Sequence, residues 1–506
     1  MIKPLIAFLI ASPALLLADD TPPYQANWDS LAQHQAAPEW FSDAKLGIYF
    51  HWGVYSVPAY DSEWYPRLMH VPGHRAYEHH LKTYGPHSEF GYHDFVPDFT
   101  AEHFDAAEWV ALFRKAGARF IGPVAEHHDG FAMWDSATTP WNAFDKGPMR
   151  DITGELAKAA RDENLKFITT FHHARHLQRY RETAAEEFGK MKQNMWHGFN
   201  DSHYPYLPEY PSSSDDPELS YLYGNIPEDQ WLETVWLAKV KEVVDQYEPD
   251  IIWFDSWLDT IPETYRARMS AYYLNHAAER NKEVVIVRKQ DDLPLSFSVD
   301  DLEKSRKNKL EPTPWMTDET LSTGSWCYTE GLTLKPTADV IHILVDIVSK
   351  NGVLLLNVSP KADGTIPEDQ RGSLLEMGDW LKRNGEAIYE TRSWYTFGEG
   401  PTTQPEGSFE NHHEFSKIKY SYQDIRYTTK GDCIYATTLG RPQDESITLS
   451  AFAAEELPQP LAIKSVTLLD SNLPVEWSLQ DDGLHLQADW SQADPSAVTL
   501  KIDCSK

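Results

Sequence analysis

Between about Trp28 and Trp394, short runs of β-branched and aromatic residues alternate with longer stretches in which apolar residues recur every three or four positions. The short runs read as strands and the stretches as amphipathic helices, the pattern of repeated βα units. The strand candidates are KLGIYFHWG from Lys45, RFIGPVAEHH from Arg119, KFITTFHH from Lys166, DIIWFDSW from Asp250, EVVIVRK from Glu283 and GVLLLNVSP from Gly352. Each ends in polar or aromatic residues, and in a parallel barrel the C-terminal strand ends build the active site. Among the helix candidates, FDAAEWVALFRKAGA keeps Phe104, Trp109, Leu112 and Phe113 near the helical period until Gly117 stops it. WLAKVKEVVDQYEPD runs into Pro249 and delivers the chain to the strand that carries Asp255.

Two stretches break this rhythm. Roughly 176–225 is polar, aromatic and Pro/Ser-containing, and an insertion of that length after a barrel strand reads as a functional rim loop. After Trp394 comes the linker-like FGEGPTTQPEGSF, and beyond it DIRYTTKGDCIYATTL, SITLSAF, AIKSVTLLD, GLHLQAD and AVTLKID alternate as strands separated by turns. The expected architecture is a (β/α)8-like TIM barrel over residues 24–394, followed by a C-terminal antiparallel β-sandwich over 395–506.

A chain of 506 residues is long enough for two such units. Its formal charge of −32 sets up a field that repels nucleic acid and anionic membranes, so neither is an expected partner. The 18 Trp and 25 Tyr supply flat, half-polar rings suited to stacking on sugar C–H faces, although a Trp-rich core would account for them equally well. Residues 1–18, MIKPLIAFLIASPALLLA, read as a signal peptide cleaved near Ala18, which implies a secreted or periplasmic protein. With only Cys327, Cys433 and Cys504, a disulfide scaffold is excluded; one bridge, Cys433 to Cys504, is the pairing considered.

No P-loop, dinucleotide fingerprint, Ser nucleophile elbow or His-Glu-x-x-His zinc motif stands in a convincing context. Carboxylate chemistry remains. Glycosidic cleavage needs one ionised carboxylate to attack the anomeric carbon and one protonated carboxyl to donate to the leaving oxygen. Asp255 ends the apolar strand IIWF, which would hold it at a barrel mouth, and Trp253 shares its face by the two-residue period. A strand-end Asp is also a common turn former or helix cap.

Five blocks then resemble one family. LGIYFHWGVYSVPAYDSEWY, FTAEHFDAAEWVALFRKAGARF, the long segment beginning EHHDGFAMWDSATTPW, IIWFDSW, and LVDIVSKNGVLLLNVSPKADGTIPE with NGEAIY are similar, in order, to glycoside hydrolase family 29, the α-L-fucosidases. The resemblance implies a retaining, exo-acting α-L-fucosidase working on fucosylated glycans or polysaccharides, with no metal and no organic cofactor. It places Asp255 as nucleophile and Glu303, in VDDLEKSR, as acid/base, with Glu311 and Glu319 as alternatives for the second role. It places His51, Glu63, Trp64, His127, His128, Trp253 and Arg288 around the sugar; Phe171, His172 and Trp315 complete the substrate-binding set.

Adjacent residues of a regular strand face opposite sides, so His127 and His128 reach one sugar only if the strand kinks or bulges there. A zinc site from His51, His127, His128 and His172 is an alternative use of the same imidazoles. The chain departs from the family pattern at Glu126, Ser256, Cys327 and the Phe-His-His ending after Lys166, positions that the resemblance places around the sugar pocket or its rim. These departures leave open a related sugar such as α-L-galactose, and a non-catalytic carbohydrate-binding protein on the same scaffold is the reading from a different class.

Overall fold

The protein is described here by a computed structural model that covers residues 22–71, 73–174, 218–223, 226, 228–255, 258–408 and 411–505. The expected signal peptide and nearly all of the expected rim insertion lie outside the described residues. Eight parallel strands close into a barrel in sequence order: β1 (Leu46–Phe50), β2 (Phe120–Glu126), β3 (Lys166–Phe171), β4 (Ile251–Phe254), β5 (Val285–Lys289), β6 (Val299–Asp301), β7 (Trp315–Thr320) and β8 (Gly352–Val358), with β8 pairing back onto β1.

The outer layer contains α1 (Ala106–Lys115), α2 (Ile152–Asp162), α3 (Leu237–Tyr247), α4 (Glu263–Glu279), α5 (Thr337–Ser349) and α6 (Glu368–Asn384). Local chemistry sets their ends. Asp105 and Asp151 accept hydrogen bonds from Glu108 N and Gly154 N, supplying side-chain acceptors for two helix N-termini. Gly117, at φ +101°, ends α1 in the left-handed conformation open to glycine. Among the described residues no α-helix lies between β5 and β6 or between β6 and β7, so the repeat is incomplete on that side.

Both faces of the barrel strands are apolar, and the two-residue period divides them between two cores. Trp253 and Ile251 pack inside the barrel with Tyr49, Val287, Met316 and Leu355, whereas Ile252 and Phe254 pack outward against the helices. Asp255 follows in the inward phase. Its backbone N–H donates to Phe171 O at 3.0 Å, continuing the β3–β4 ladder beyond the last strand residue.

The pairing of β2 with β3 shifts register between Val124 and Glu126, a β-bulge. Val124 belongs to the inner core and Ala125 to the outer one. The bulge keeps Glu126 facing outward as well, where its carboxylate meets Lys239 Nζ of α3 at 2.8 Å with both side chains fully buried. Glu126 is therefore a structural ion-pair partner beneath the helices and does not line the sugar pocket, contrary to the expectation for that departure.

Beyond α6 the chain builds antiparallel sheets. β9 (Arg392–Glu399), β10 (Ile425–Lys430), β11 (Cys433–Thr438), β13 (Ala462–Leu468) and β16 (Val498–Ser505) form one sheet in the order β13-β16-β11-β10-β9. β12 (Ser446–Leu449), β14 (Glu476–Gln480) and β15 (Gly483–Gln487) form the second, in the order β12-β15-β14. Their shared core includes Tyr427, Leu449, Leu484 and Leu500. The first strand starts before Trp394 and runs into the FGE of the expected linker.

All three cysteines are free thiols, so the Cys433–Cys504 bridge is absent. Register gives the reason. Cys433 pairs with Asp503 across β11 and β16, and the neighbouring Cys504 points to the other face, into the sheet-packing core.

Lys239→Met tests the buried pair at the bulge. Removing the ammonium deprives a buried carboxylate of its counter-charge and should destabilise the protein by about 3–5 kcal/mol. Chemical denaturation of wild type and variant measures this, and a change below about 1 kcal/mol contradicts it.

Candidate active site

The inward residues at the C-terminal ends of the strands surround a cavity of about 900 Å3. β1 delivers His51, the bulged end of β2 delivers His127 and His128, β3 delivers His172, and β4 delivers Asp255. Lys289 is the last residue of β5; Glu303 and Lys304 follow β6, and Asp318 lies near the end of β7. Glu63 and Trp64 come from the segment after β1, and Trp326 from the segment after β7. Both histidines lie beyond the last residue of β2, His128 in a turn where Gly130 N–H donates to His127 O at 3.1 Å, so strand alternation no longer separates them and both reach one cavity.

At its centre is one ammonium group. Lys289 Nζ lies 3.1 Å from Asp255 Oδ1, 3.1 Å from Glu303 Oε2, 3.5 Å from Asp318 Oδ2 and 4.0 Å from Asp301 Oδ2. It also sits 4.5 Å from the centroid of the Trp253 ring. Burial opposes the charge on Lys289, but Asp318, Glu303, Asp255 and Asp301 outweigh that effect and hold it protonated.

Burial alone would also push the Asp255 carboxyl up. The Lys289 ammonium and the hydrogen bond from His128 Nε2 at 3.1 Å outweigh it and hold the group well below the usual carboxylate range. Asp301 and Asp318 are pushed in the other direction, chiefly by burial; for Asp301 the neighbouring Asp318 charge adds to it. Tyr49 Oη donates to Asp318 Oδ2 at 2.9 Å from within the barrel.

The facing wall is imidazole. His51, His127 and His172 lie with ring centroids 4.6–5.4 Å apart. Burial depresses all three, His51 to about 3. Asn357 fixes the His51 tautomer: its Nδ2 donates to Thr320 Oγ1 and Trp326 O, so its Oδ1 is the acceptor 2.8 Å from His51 Nδ1. Nδ1 therefore carries the hydrogen, leaving the Nε2 lone pair available. Glu63 accepts from Trp326 N at 3.0 Å and Ser325 Oγ at 3.1 Å, which ties the segment after β1 to the segment after β7.

Three expected sugar contacts lie elsewhere. Arg288 occupies the outward phase of β5, donates to Leu293 O at 2.7 Å and pairs with Asp300 at 3.2 Å; its neighbour Lys289 is the residue that enters the cavity. Phe171 has the outward phase of β3 and stacks on Phe254 at 5.6 Å. Trp315 opens β7 at the opposite end of the barrel, where its Nε1 donates to Lys350 O at 2.9 Å. Trp253 lies under the cavity as a fully buried support for Lys289. Of the alternative acids, Glu319 faces outward to Lys335 at 3.1 Å, and Glu311 is absent from the cavity wall.

Sequence reasoning missed Lys289, Asp318 and Trp326. Lys289 was discoverable from its odd spacing to Val285 and Val287, and Trp326 from its place beside the singled-out Cys327. His412, also on the wall, comes from the short helix His412–Phe415 between β9 and β10.

With this geometry in hand, residues 14–386 match the profile described as Alpha-L-fucosidase, and residues 420–503 match that of the Alpha-L-fucosidase C-terminal domain. The chain belongs to the α-L-fucosidase family. Similar members include human tissue α-L-fucosidase, 29% identical over 98% of this chain and 94% of that protein. Human plasma α-L-fucosidase is 30% identical over 92% of this chain and 88% of its own length. The crystal structure of the Thermotoga maritima α-fucosidase in complex with fucose superposes with a TM-score of 0.72 at 27% identity, covering 95% of this chain and all of that one. The barrel and C-terminal sheets are thus the arrangement found in solved members of the family.

The depressed imidazoles give a direct expectation. Since burial holds His51 near 3 and His127 and His172 well below 6.5, all three should remain neutral at pH 5, where an exposed histidine is mostly charged. Nitrogen-15 NMR of histidine-labelled protein, assigned by single substitutions, reads this directly; imidazolium signals from these rings at pH 5 would contradict it.

Proposed function

We propose that the protein is a retaining, exo-acting α-L-fucosidase that removes terminal α-L-fucosyl residues from glycans or polysaccharides, with Asp255 as nucleophile and Glu303 as acid/base. One observation carries the assignment of the pair. The Asp255 and Glu303 oxygens nearest Lys289 are each 3.1 Å from Nζ, so they are at most twice that distance apart. That bound favours the spacing of about 5–5.5 Å used by retaining pairs over the roughly 6.5–9.5 Å needed to seat a water in inverting ones.

In the first step Asp255 attacks the anomeric carbon while Glu303 gives its proton to the departing glycosidic oxygen. Negative charge leaves Asp255 as its ester forms and arises on Glu303 as its proton departs. Lys289 touches both groups, so its ammonium compensates the charge before and after the transfer without having to move far. In the second step Glu303 takes a proton from water, which attacks the glycosyl ester and releases the sugar with its configuration retained.

His51, His127, His128, His172 and Glu63 are suited to hydrogen-bond the sugar hydroxyls, and Trp64 and Trp326 offer apolar ring faces. Glu126, one of the departures that left α-L-galactose open, pairs with Lys239 beneath the helices and offers the extra hydroxyl of that sugar no contact. Carboxylates supply both nucleophile and proton, so the mechanism calls on no cofactor. Export is supported by residues 1–18 and cleavage near Ala18. Among the described residues no helix is long and apolar enough to cross a membrane.

Asp255→Gly should abolish hydrolysis of an aryl α-L-fucoside, and azide should partly restore turnover by giving the β-fucosyl azide; robust activity without this carboxylate sinks the assignment. Glu303→Gln should cost about 10²- to 10⁴-fold on natural disaccharides and far less on activated aryl leaving groups. Equal losses on both substrates would transfer the acid role to another residue.

Lys289→Met should move the acidic limb of the kcat/KM profile. Activity requires ionised Asp255, whose pKa is depressed in the wild type, so the limb lies below the ordinary carboxylate value. Without the ammonium it should rise by about 1–3 pH units, and an unmoved limb would mean that another group controls it.

A further inference from the structure

We propose that His51, His127 and His172 form a binding site for one late first-row dication, Zn2+ or Cu2+, whose occupancy excludes the sugar. The three offer ring nitrogens that all lie within 4.8 Å of one another. Tetrahedral zinc with Zn–N bonds of about 2.0–2.1 Å needs nitrogens roughly 3.4 Å apart, so closure asks each ring for a shift of less than about 1 Å.

Three features make the cluster suited to an ion. The side chains belong to residues only 3–4% exposed, yet they line an open cavity, so an ion can enter a site that is largely desolvated. His51 is held in one tautomer: Nδ1–H donates to Asn357 Oδ1, an amide oxygen in the position that a carboxylate, backbone carbonyl or water usually takes behind a metal-binding histidine, and Nε2 keeps its lone pair. Nδ1 of His127 and Nδ1 of His172 are buried and meet no hydrogen-bond partner among the described residues, so both rings retain unused polar capacity within the wall.

The surrounding charge also tolerates a dication. Asp255, Glu303, Asp318 and Glu63 line the same cavity, and the ammonium groups of Lys289 and Lys304 stand against them. An all-imidazole set favours zinc, copper or nickel and suits neither Mg2+ nor Ca2+, which prefer oxygen donors. The fourth position, facing the cavity, is available to water.

The ion would inhibit rather than assist, because it would occupy the lone pairs that otherwise receive sugar hydroxyls. That consequence rests on the fucosidase reading, whereas metal binding itself does not. The two parts therefore need separate readouts.

The full-length mature protein, stripped with chelator, is titrated calorimetrically with ZnCl2 in a non-coordinating buffer, with MgCl2 as comparison. One zinc per chain with a dissociation constant of about 10 µM or tighter is expected, and no saturable magnesium binding. Co2+ should give the intense visible d–d bands of a four-coordinate site, a measurement that needs no variant. His127→Gln and His172→Gln, checked for native folding by circular dichroism, should each weaken zinc at least about tenfold. Zinc should also inhibit aryl fucoside hydrolysis competitively. No saturable zinc uptake at 1 mM, on the order of a hundredfold above the expected constant, overturns the site, as does unweakened binding in both variants. Full activity in the zinc-saturated protein overturns the exclusion of sugar. A protein that binds zinc as expected but hydrolyses no fucoside at any zinc level overturns the functional reading and leaves the metal site standing.

Discussion

The Lys289 ammonium is the interaction on which the architecture of the site depends. Four carboxyl groups, from Asp255, Asp301, Glu303 and Asp318, converge on it near the C-terminal ends of β4 to β7. In water they would repel weakly, but inside a barrel their mutual repulsion is large and none could be buried together without a counter-charge or shared protons. Both remedies are present. Lys289 keeps Asp255 ionised, while burial drives Asp301 and Asp318 toward the protonated form. The two groups assigned to chemistry share the ammonium most closely, and the more deeply placed acids surround them.

That arrangement requires a rigid floor. The inner core, built from alternate residues of all eight strands, places Trp253 under the ammonium and Tyr49 against Asp318. The outer core fixes the same strands from the helix side. A one-residue slip in β5 would turn Lys289 outward and bring Arg288 to the inner face, replacing a compact ammonium with a larger planar guanidinium, so inner and outer packing together fix which cation meets the four carboxyl groups.

The fold was legible because its signals are long. Alternation of apolar strands and amphipathic helices from Trp28 to Trp394, and the succession of short strands after it, announced a barrel and antiparallel sheets. Asp255, His51 and the adjacent histidines were legible because they end strands within long matching segments. Facing direction was less so. When both faces of a strand are apolar, period two does not say which one is inside; Arg288 comes from the resemblance and Phe171 from its place at a strand end, and neither source shows that the side chain faces the helices. Trp315 shows a related difficulty, since its side chain type suits a sugar but its position at the start of a strand puts it at the wrong end. The outward turn at Glu126 depends on a bulge that no local residue pattern disclosed. The Cys433–Cys504 suggestion lacked the register that separates the two thiols.

The histidine at position 412 has a consequence for how such proteins diversify. It reaches the sugar pocket from the segment joining two strands of the C-terminal sheet, on the side where the barrel lacks helices after β5 and β6. The boundary between folding units is therefore not a boundary between functions. Recombination that exchanged the C-terminal unit, or drift in a connection under little packing constraint, would remodel one wall of the pocket while every barrel strand stayed unchanged. Selection on substrate range thus has access to a part of the chain that a reading of the barrel alone would treat as an accessory.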